Sequence, residues 1–545
     1  MKKDRVRPAA ALLCSAAVFL WFLCHPAAAG GQQTDQSAQP SAVGLVLEGT
    51  VRGSQNQSYV DVPFQVPAGT ERVTITFAYT GKEQHTTLDL GLRDPSELRC
   101  WSGGNKSLLT VGLMDATPSC LPGAIPPGTW NVLIGVPNIR AGVESHYTIH
   151  VYLSATGAVA AEPAVLREPL RAGPASRPTV EDLSAGTPRW FRGDLHMHTA
   201  HSDGQCLSQT GKMVPCPVFF TVDAAARRGL DFIAITDHNA SSQYDAMREL
   251  QPYFDKVLLI PGREITTFQG HINFLGSTDF IDFRLGSKTV PDMNTLLREA
   301  ARVGAITSIN HPLAPGGEIC LGCRWTPATP VDMRLLTGVE AVNGGSELYG
   351  ISDLPFWNKQ LNRGCRLTGM GGSDNHHAMQ PLDQIGSVGS PTTVVYATEL
   401  STPAIIDGIR AGHVFIDVAG TQDRVLDLTA QIANRIAHGG DSLEAVQGDA
   451  IQFEAHVTDS VGGRVLWIED GEEITPPTSG YIGTEVETMP LPWTSDGHRH
   501  WFRAEVAGPD GKLWLIGNPV YINWDNSKNC ANNQSSPPKG PAAEP

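Results

Sequence analysis

The hydrophobic rhythm of the chain changes three times. Residues 43–155 place apolar side chains at every second position in short runs, as in Arg72–Phe77 and Tyr147–Tyr152, with Gly/Pro turns between them. A period of two turns one face of a strand to a core and the other to water, so this stretch predicts an all-β sandwich. From Ala155 to Pro188 the period gives way to Ala, Pro, Glu and Arg, which reads as a linker over 156–188. Beyond it, apolar runs of strand length alternate with helical stretches. The pattern predicts strands at Asp231–Thr236 and Ala305–Ile309, a helix at Asn294–Arg302, and a helix opened by Ser401-Thr402-Pro403 and closed by Gly412. That alternation implies a mainly parallel sheet or barrel over 189–422, and so an α/β fold class. Short alternating strands return from Leu426 to Trp524, including His500–Val506 and Lys512–Ile516, and predict a second β-sandwich over 423–524. Residues 525–545 read as a polar, Pro-rich, disordered tail.

The first 29 residues change where this protein is expected to work. Lys2, Lys3, Arg5 and Arg7 precede an apolar run from Ala9 to Cys24, and Ala27-Ala28-Ala29 follows, the pattern of a cleaved signal peptide (1–29). The run is short for a membrane anchor, so a secreted or periplasmic protein with no stable membrane span is expected. The whole chain carries 40 Lys and Arg against 56 Asp and Glu, a net charge of -16, and cleavage makes it more acidic. Such a balance argues against nucleic acid as a partner. In an oxidising compartment Cys100 with Cys120, Cys206 with Cys216, and Cys320 with Cys323 read as local disulfides. A zinc or redox role for Cys320-x-x-Cys323 is the alternative, weakened by the lack of a second CxxC.

Candidate chemistry concentrates at the ends of the central apolar runs. Trp190–Leu195 leads into His196-Met-His198 and Ser202-Asp203-Gly204; in an extended segment residues two apart share a face, so both imidazoles can reach one cation while Gly204 turns Asp203 back. Later runs end in Thr236-Asp237-His238, reach Gly262-Arg-Glu264, begin at Gly270-His271, and end in Asn310-His311-Pro312 and Gly372-Ser-Asp374-Asn-His376. In (β/α) barrels that rim is where catalytic groups gather. Imidazole with carboxylate suits Zn, Mn or Fe better than Mg or Ca.

The motif order HxH, SDG, TDH, E, GH, NHP, SDxH over Arg189–Asp417 resembles the polymerase and histidinol phosphatase (PHP) superfamily. The Gly262–Thr267 and Gly270–Gly276 stretches look like its carbaryl hydrolase-like branch. The resemblance implies a distorted (β/α)7 TIM-like barrel between the two sandwiches, holding two or three divalent cations. Carried over, one cation takes His196, His198, Glu264 and Asp374, with Glu264 bridging; a second shares Glu264 and takes His271 and His311; a third uses Asp203, His238 and His376. Paired cations can ionise a water to hydroxide near neutral pH and neutralise charge on the attacked oxygen. The N-terminal stretch resembles the bacterial pre-peptidase C-terminal domain, on Gly49, Val66–Gly69, Asp89–Leu92, Trp101–Gly103 and Pro127–Trp130.

Beside these motifs, Asp237 reads as a partner orienting an imidazole or as a strand-end cap. His201 and His377 read as surface groups or as a substrate contact or general acid. Arg192, Arg263 and Arg324 are candidate anion clamps or scaffold, and Trp325 and Trp357 pocket or core. The expected function is an exported metal-dependent phosphoesterase acting on a small-molecule ester. Carboxylic ester or carbamate hydrolysis by the same site is the second reading. A non-catalytic protein binding envelope or glycan through its sandwiches is the third, and polymerase-associated proofreading is disfavoured by the export signal and acidic charge.

Overall fold

The computed structural model describes residues 43–154, 188–348, 350–524 and 530. The expected signal peptide, the linker and all of the tail but Cys530 lie outside these residues. Residues 43–154 form two four-stranded antiparallel sheets. One orders Val43–Arg52, Glu144–Ser154, Arg72–Tyr79 and Leu108–Gly112; the other orders Ser58–Val66, Gly128–Asn138, Thr87–Arg93 and Leu98–Trp101. The alternation read from the sequence is the alternation of burial: Val73, Ile75 and Phe77 point into a core shared with Leu90, Trp130 and Val132, while Thr74 and Thr76 are only half-buried.

A single mixed sheet of fifteen strands runs through the rest of the molecule. Its central part orders Thr368–Gly372, Gly338–Asn343, Ile306–Ile309, Gly270–Leu275, Leu258–Thr267, Phe232–Ile235, Arg189–Asp194, Thr392–Ala397 and Val414–Asp417. These strands are apolar on both faces because both are covered; Phe232 to Ile235 are fully buried. Met293–Arg302 is a helix capped by Asp292, and Thr402–Ala411 is one capped by Ser401 and closed by Gly412 in the left-handed conformation, as their sequence signals require.

Strict strand–helix alternation breaks where it matters to the site. Leu258–Thr267 and Gly270–Leu275 pair antiparallel, because two residues, Phe268 and Gln269, leave no room for a helical crossover. Gly270 has φ 142°, and a Cβ there would lie 2.4 Å from the Trp325 ring, so the hairpin needs glycine at that position. The segment after Thr368–Gly372 also meets the segment after Arg189–Asp194: Asp374 donates its backbone N–H to His196 O at 2.9 Å, and His198 donates to Asn375 O at 2.9 Å.

Residues 425–524 form two further layers. Val425–Ile432, Arg435–His438, Ala450–Thr458 and Val486–Thr494 make a separate sheet, while His500–Ala507 and Leu513–Gly517 continue the central one through Val414–Asp417. Cys100–Cys120, Cys206–Cys216 and Cys320–Cys323 are paired, and Cys365 pairs with Cys530. Among the described residues no helix is long and apolar enough to cross a membrane.

Candidate metal centre

Strand ends carry the nine expected donors to one place. His196 and His198 follow the Arg189–Asp194 strand, His238 follows Phe232–Ile235, and Glu264 and His271 face each other on the hairpin. His311 follows Ile306–Ile309, while Asp374 and His376 follow Thr368–Gly372. Together they form overlapping donor groups: His198, Asp203, His238 and His376; His196, His311 and Asp374; His196, His198 and Glu264; and His238, Glu264 and His271. His198 is shared between the first and third of these, stacked between His238 and His376 at 4.3 and 4.1 Å. His311 and Asp374 have positive φ, 29° and 54°, a backbone cost of the kind that collects at functional sites.

The spacing of donors is informative. His196 Nε2 stands 3.4 Å from Glu264 Oε2 and 3.3 Å from Asp374 Oδ1; His198 Nε2 stands 3.6 and 3.2 Å from the same atoms. His376 Nε2 lies 3.3 Å from Asp203 Oδ1, and His311 Nε2 lies 3.4 Å from Glu264 Oε1. Ligands held at about 2.1 Å in a tetrahedral shell are themselves about 3.4 Å apart.

Four imidazoles are turned for the purpose by what holds their other nitrogen. His196 Nδ1 donates to Glu340 Oε1 at 2.6 Å, and His376 Nδ1 donates to Asp374 O at 2.9 Å. His238 Nδ1 is held by Thr266 Oγ1 at 2.6 Å and lies 2.8 Å from Glu264 Oε2. His198 Nδ1 meets Ser202 Oγ at 3.4 Å, whose own proton goes to Asp237 Oδ1 at 2.6 Å. In His196, His198 and His376 Nε2 is then the atom that faces the donor groups, the arrangement by which outer hydrogen bonds fix a ligating tautomer; in His238 Nδ1 lies beside Glu264 and Nε2 faces Asp203 at 3.6 Å. His196 Nε2, Glu264 Oε2, His271 Nε2 and His311 Nδ1 are buried without a hydrogen-bond partner. Buried polar atoms are normally satisfied, and this donor set fits divalent cations.

The charges reinforce one another. Burial pushes the Glu264 carboxyl up, but His238, His196 and His271 outweigh it and hold the group well below the usual carboxylate range. For His376, burial opposes the proton while Asp203 holds it, raising the ring to about 10. His311 rises to about 9 against burial, through Glu264 and Asp374. His198 is pushed down to about 4 by burial and by His376 and His238.

Asp237 acts at a distance from its neighbour His238. It is fully buried and accepts from Thr199 N, Thr199 Oγ1 and Ser202 Oγ at 2.8, 2.7 and 2.6 Å, so it shapes the loop after His198 and reaches that imidazole through Ser202. His377 is exposed, its backbone N–H donating to Asn375 Oδ1. His201 Nδ1 is hydrogen-bonded to Ser242 Oγ at 2.7 Å. Arg192 holds Asp417 and Thr421 O, and Arg324 holds Ala314 O; Arg263 donates through Nη2 to Asp279 O, its Nε and Nη1 buried without a hydrogen-bond partner. Trp357 is fully buried, and Trp325 packs on Gly270.

Glu340 is absent from the sequence motifs, yet its carboxylate accepts three hydrogen bonds beside the donors. Besides His196 it accepts from His311 N at 3.0 Å and from Asn343 Nδ2 at 2.9 Å. A Cβ at Gly372 would lie 2.4 Å from Glu340 Oε1, so glycine there lets the carboxylate reach His196. Asn310 adds a hydrogen bond to Glu264 Oε1 at 2.9 Å. The signal in the sequence was a lone carboxylate inside the apolar run Gly338–Asn343.

No family model and no curated protein matches the chain. Among solved structures, the chain is similar to a two-domain protein from Bacteroides vulgatus containing a predicted PHP-like metal-dependent phosphoesterase. The identity is 20%, the match covers 62% of this chain and 95% of that one, and the TM-score is 0.35. It is also similar to PsfC from Pseudomonas syringae (18% identical, 41% and 88% covered, TM-score 0.26). A third is an amidohydrolase from Chromobacterium violaceum with bound sulfate (15%, 36% and 89%, TM-score 0.23).

Proposed function

We propose that this protein is an exported metal-dependent phosphoesterase, its central strands forming a distorted PHP-type barrel between two β-sandwiches. The observation that carries the reading is the convergence of nine imidazole and carboxylate donors around buried Glu264, four of the rings already turned toward the shared groups. His196, His198, Glu264 and Asp374 would hold one divalent cation; Glu264, His271 and His311 a second; Asp203, His238 and His376 a third. Such cations supply ionisation of a water near neutral pH and neutralisation of charge on the attacked oxygens. The chain's own residues do the rest. Glu340 and the Asp237–Ser202 pair fix ring orientation, and Asn310 steadies Glu264. Divalent cations held there would present positive charge directly to the oxygens of an anionic phosphoryl group. Four disulfides agree with export.

The test is turnover of nitrophenyl phosphate mono- and diesters against naphthyl acetate by protein loaded with Zn or Mn. Phosphoester turnover abolished by chelation and restored by metal is expected. Acetate turnover without phosphoester turnover would move the reading to a carboxylic ester hydrolase.

A further inference from the structure

The N-terminal sandwich lies against the site and is locked there by an apolar seam. The Tyr59 ring meets Phe268, at the tip of the hairpin carrying Glu264 and His271, at 5.0 Å between centroids, and Trp101 meets Phe283 at 4.8 Å. Trp101 and Leu133 belong to the same buried cluster as Ile265 and Ile272 of the hairpin. Ser119 N donates to Ser242 Oγ, and Arg140 makes two 2.6 Å bonds to Glu318. Side chains of this sandwich near the donors therefore stand in fixed positions.

Two of them lie close to the centre. Asp89 lies within electrostatic reach of His238, and burial pushes its carboxyl up to about 7. Lys106 is half-buried, and its Nζ donates to Ser202 O at 2.8 Å, one residue before Asp203. That is its one hydrogen bond among the described residues, and it forms no ion pair there. An ammonium has three donors, so two remain. The nearby carboxylates are otherwise engaged: Asp237 accepts three hydrogen bonds from Thr199 and Ser202, and Asp203 faces His238 and His376. A partly desolvated cation with spare donors one residue from Asp203 is the side chain an anionic oxygen would meet there, and Arg192 and Arg324 are engaged elsewhere.

We propose that Lys106, supplied by the N-terminal sandwich, is a substrate-binding residue that receives an anionic oxygen of the phosphoryl group beside the Asp203, His238 and His376 end of the centre. The inference rests on the phosphoesterase reading for its substrate class, and it makes the sandwich a wall of the site.

The probe is inorganic phosphate on the metal-loaded full chain. Lys106→Met is expected to weaken phosphate binding by about 10- to 100-fold, the effect of one charge-assisted hydrogen bond. KM for nitrophenyl phosphate should rise in step, with kcat within about threefold and metal content unchanged, and Lys106→Arg should recover most of the affinity. In the unmodified protein, phosphate should protect Lys106 from an amine-acylating reagent, read by peptide mass spectrometry, so the test does not depend on the variant folding. Phosphate affinity unaltered in Lys106→Met, or no protection while phosphate is bound, would overturn the proposal and leave the phosphoesterase reading standing. Phosphate bound and lost with Lys106, but only carboxylic esters hydrolysed, would overturn that reading and leave the anion site. No phosphate binding by the metal-loaded protein would overturn the anion site outright.

Discussion

Two sets of β-layers flank the central strands, and they are attached in different ways. The C-terminal layers join by backbone: Val414–Asp417 pairs with Leu513–Gly517, so the central sheet runs on into them without a break. The N-terminal sandwich has its own two sheets and joins by side chains, through Tyr59, Trp101, Arg140 and Lys106. Backbone continuity stabilises but brings few side chains to the strand ends where the donors lie. Side-chain docking at the mouth does bring them. The comparison teaches that similar strand patterns can have different consequences for a site, depending on which edge of it they meet.

The strongest way to break this contrast is a paired truncation. Trp501→Ala, in the C-terminal strands, and Trp101→Ala, in the N-terminal seam, each remove a buried indole, and each should cost about 3–5 kcal/mol in denaturant unfolding. Only Trp101→Ala should also change KM of the folded enzyme. Equal KM shifts in both would erase the distinction. Next in size, Glu340→Gln should weaken metal binding about 10- to 100-fold by freeing the His196 ring, as measured by competition with a chelating dye. The same measurement on Trp501→Ala should show no change.

The pH dependence follows from the charges. His376 at about 10 and His311 at about 9 hold protons through neutral pH when metal-free, and cations must displace them. Metal affinity should therefore rise from pH 6 to 9, by roughly tenfold per unit for each proton displaced, with net proton release in calorimetry run in two buffers. An affinity flat with pH would contradict those protonation states. The smallest effect belongs to the Arg140–Glu318 pair, where both partners keep substantial exposure. Arg140→Ala should leave the unfolding midpoint unchanged within error, because the apolar seam holds the sandwich.

Much of the site was legible in the sequence because most of the donors follow an apolar run. His196-Met-His198, Thr236-Asp237-His238 and Ser373-Asp374-Asn-His376 are local patterns, and strand ends bring local patterns together. What escaped notice was what acts across the fold. Glu340 meets His196 from 144 residues away, and Lys106 meets Ser202 from 96 away. No spacing rule links such pairs. Asp237 sits beside His238 in the chain, but its carboxylate closes the Thr199–Ser202 turn and serves His198. The alternating runs after Leu426 marked strands correctly, but edge pairing with Val414–Asp417 depends on which neighbours a strand finds, and alternation is silent on that.

The most direct test is anomalous diffraction above and below the Zn, Mn and Fe absorption edges on crystals of metal-replete protein, with metal content measured on the same sample. Peaks within ligand distance of Glu264, flanked by His196, His198 and Asp374 and by His271 and His311, are the predicted result. A protein that takes up metal elsewhere, or binds none while these donors stay grouped, would contradict it.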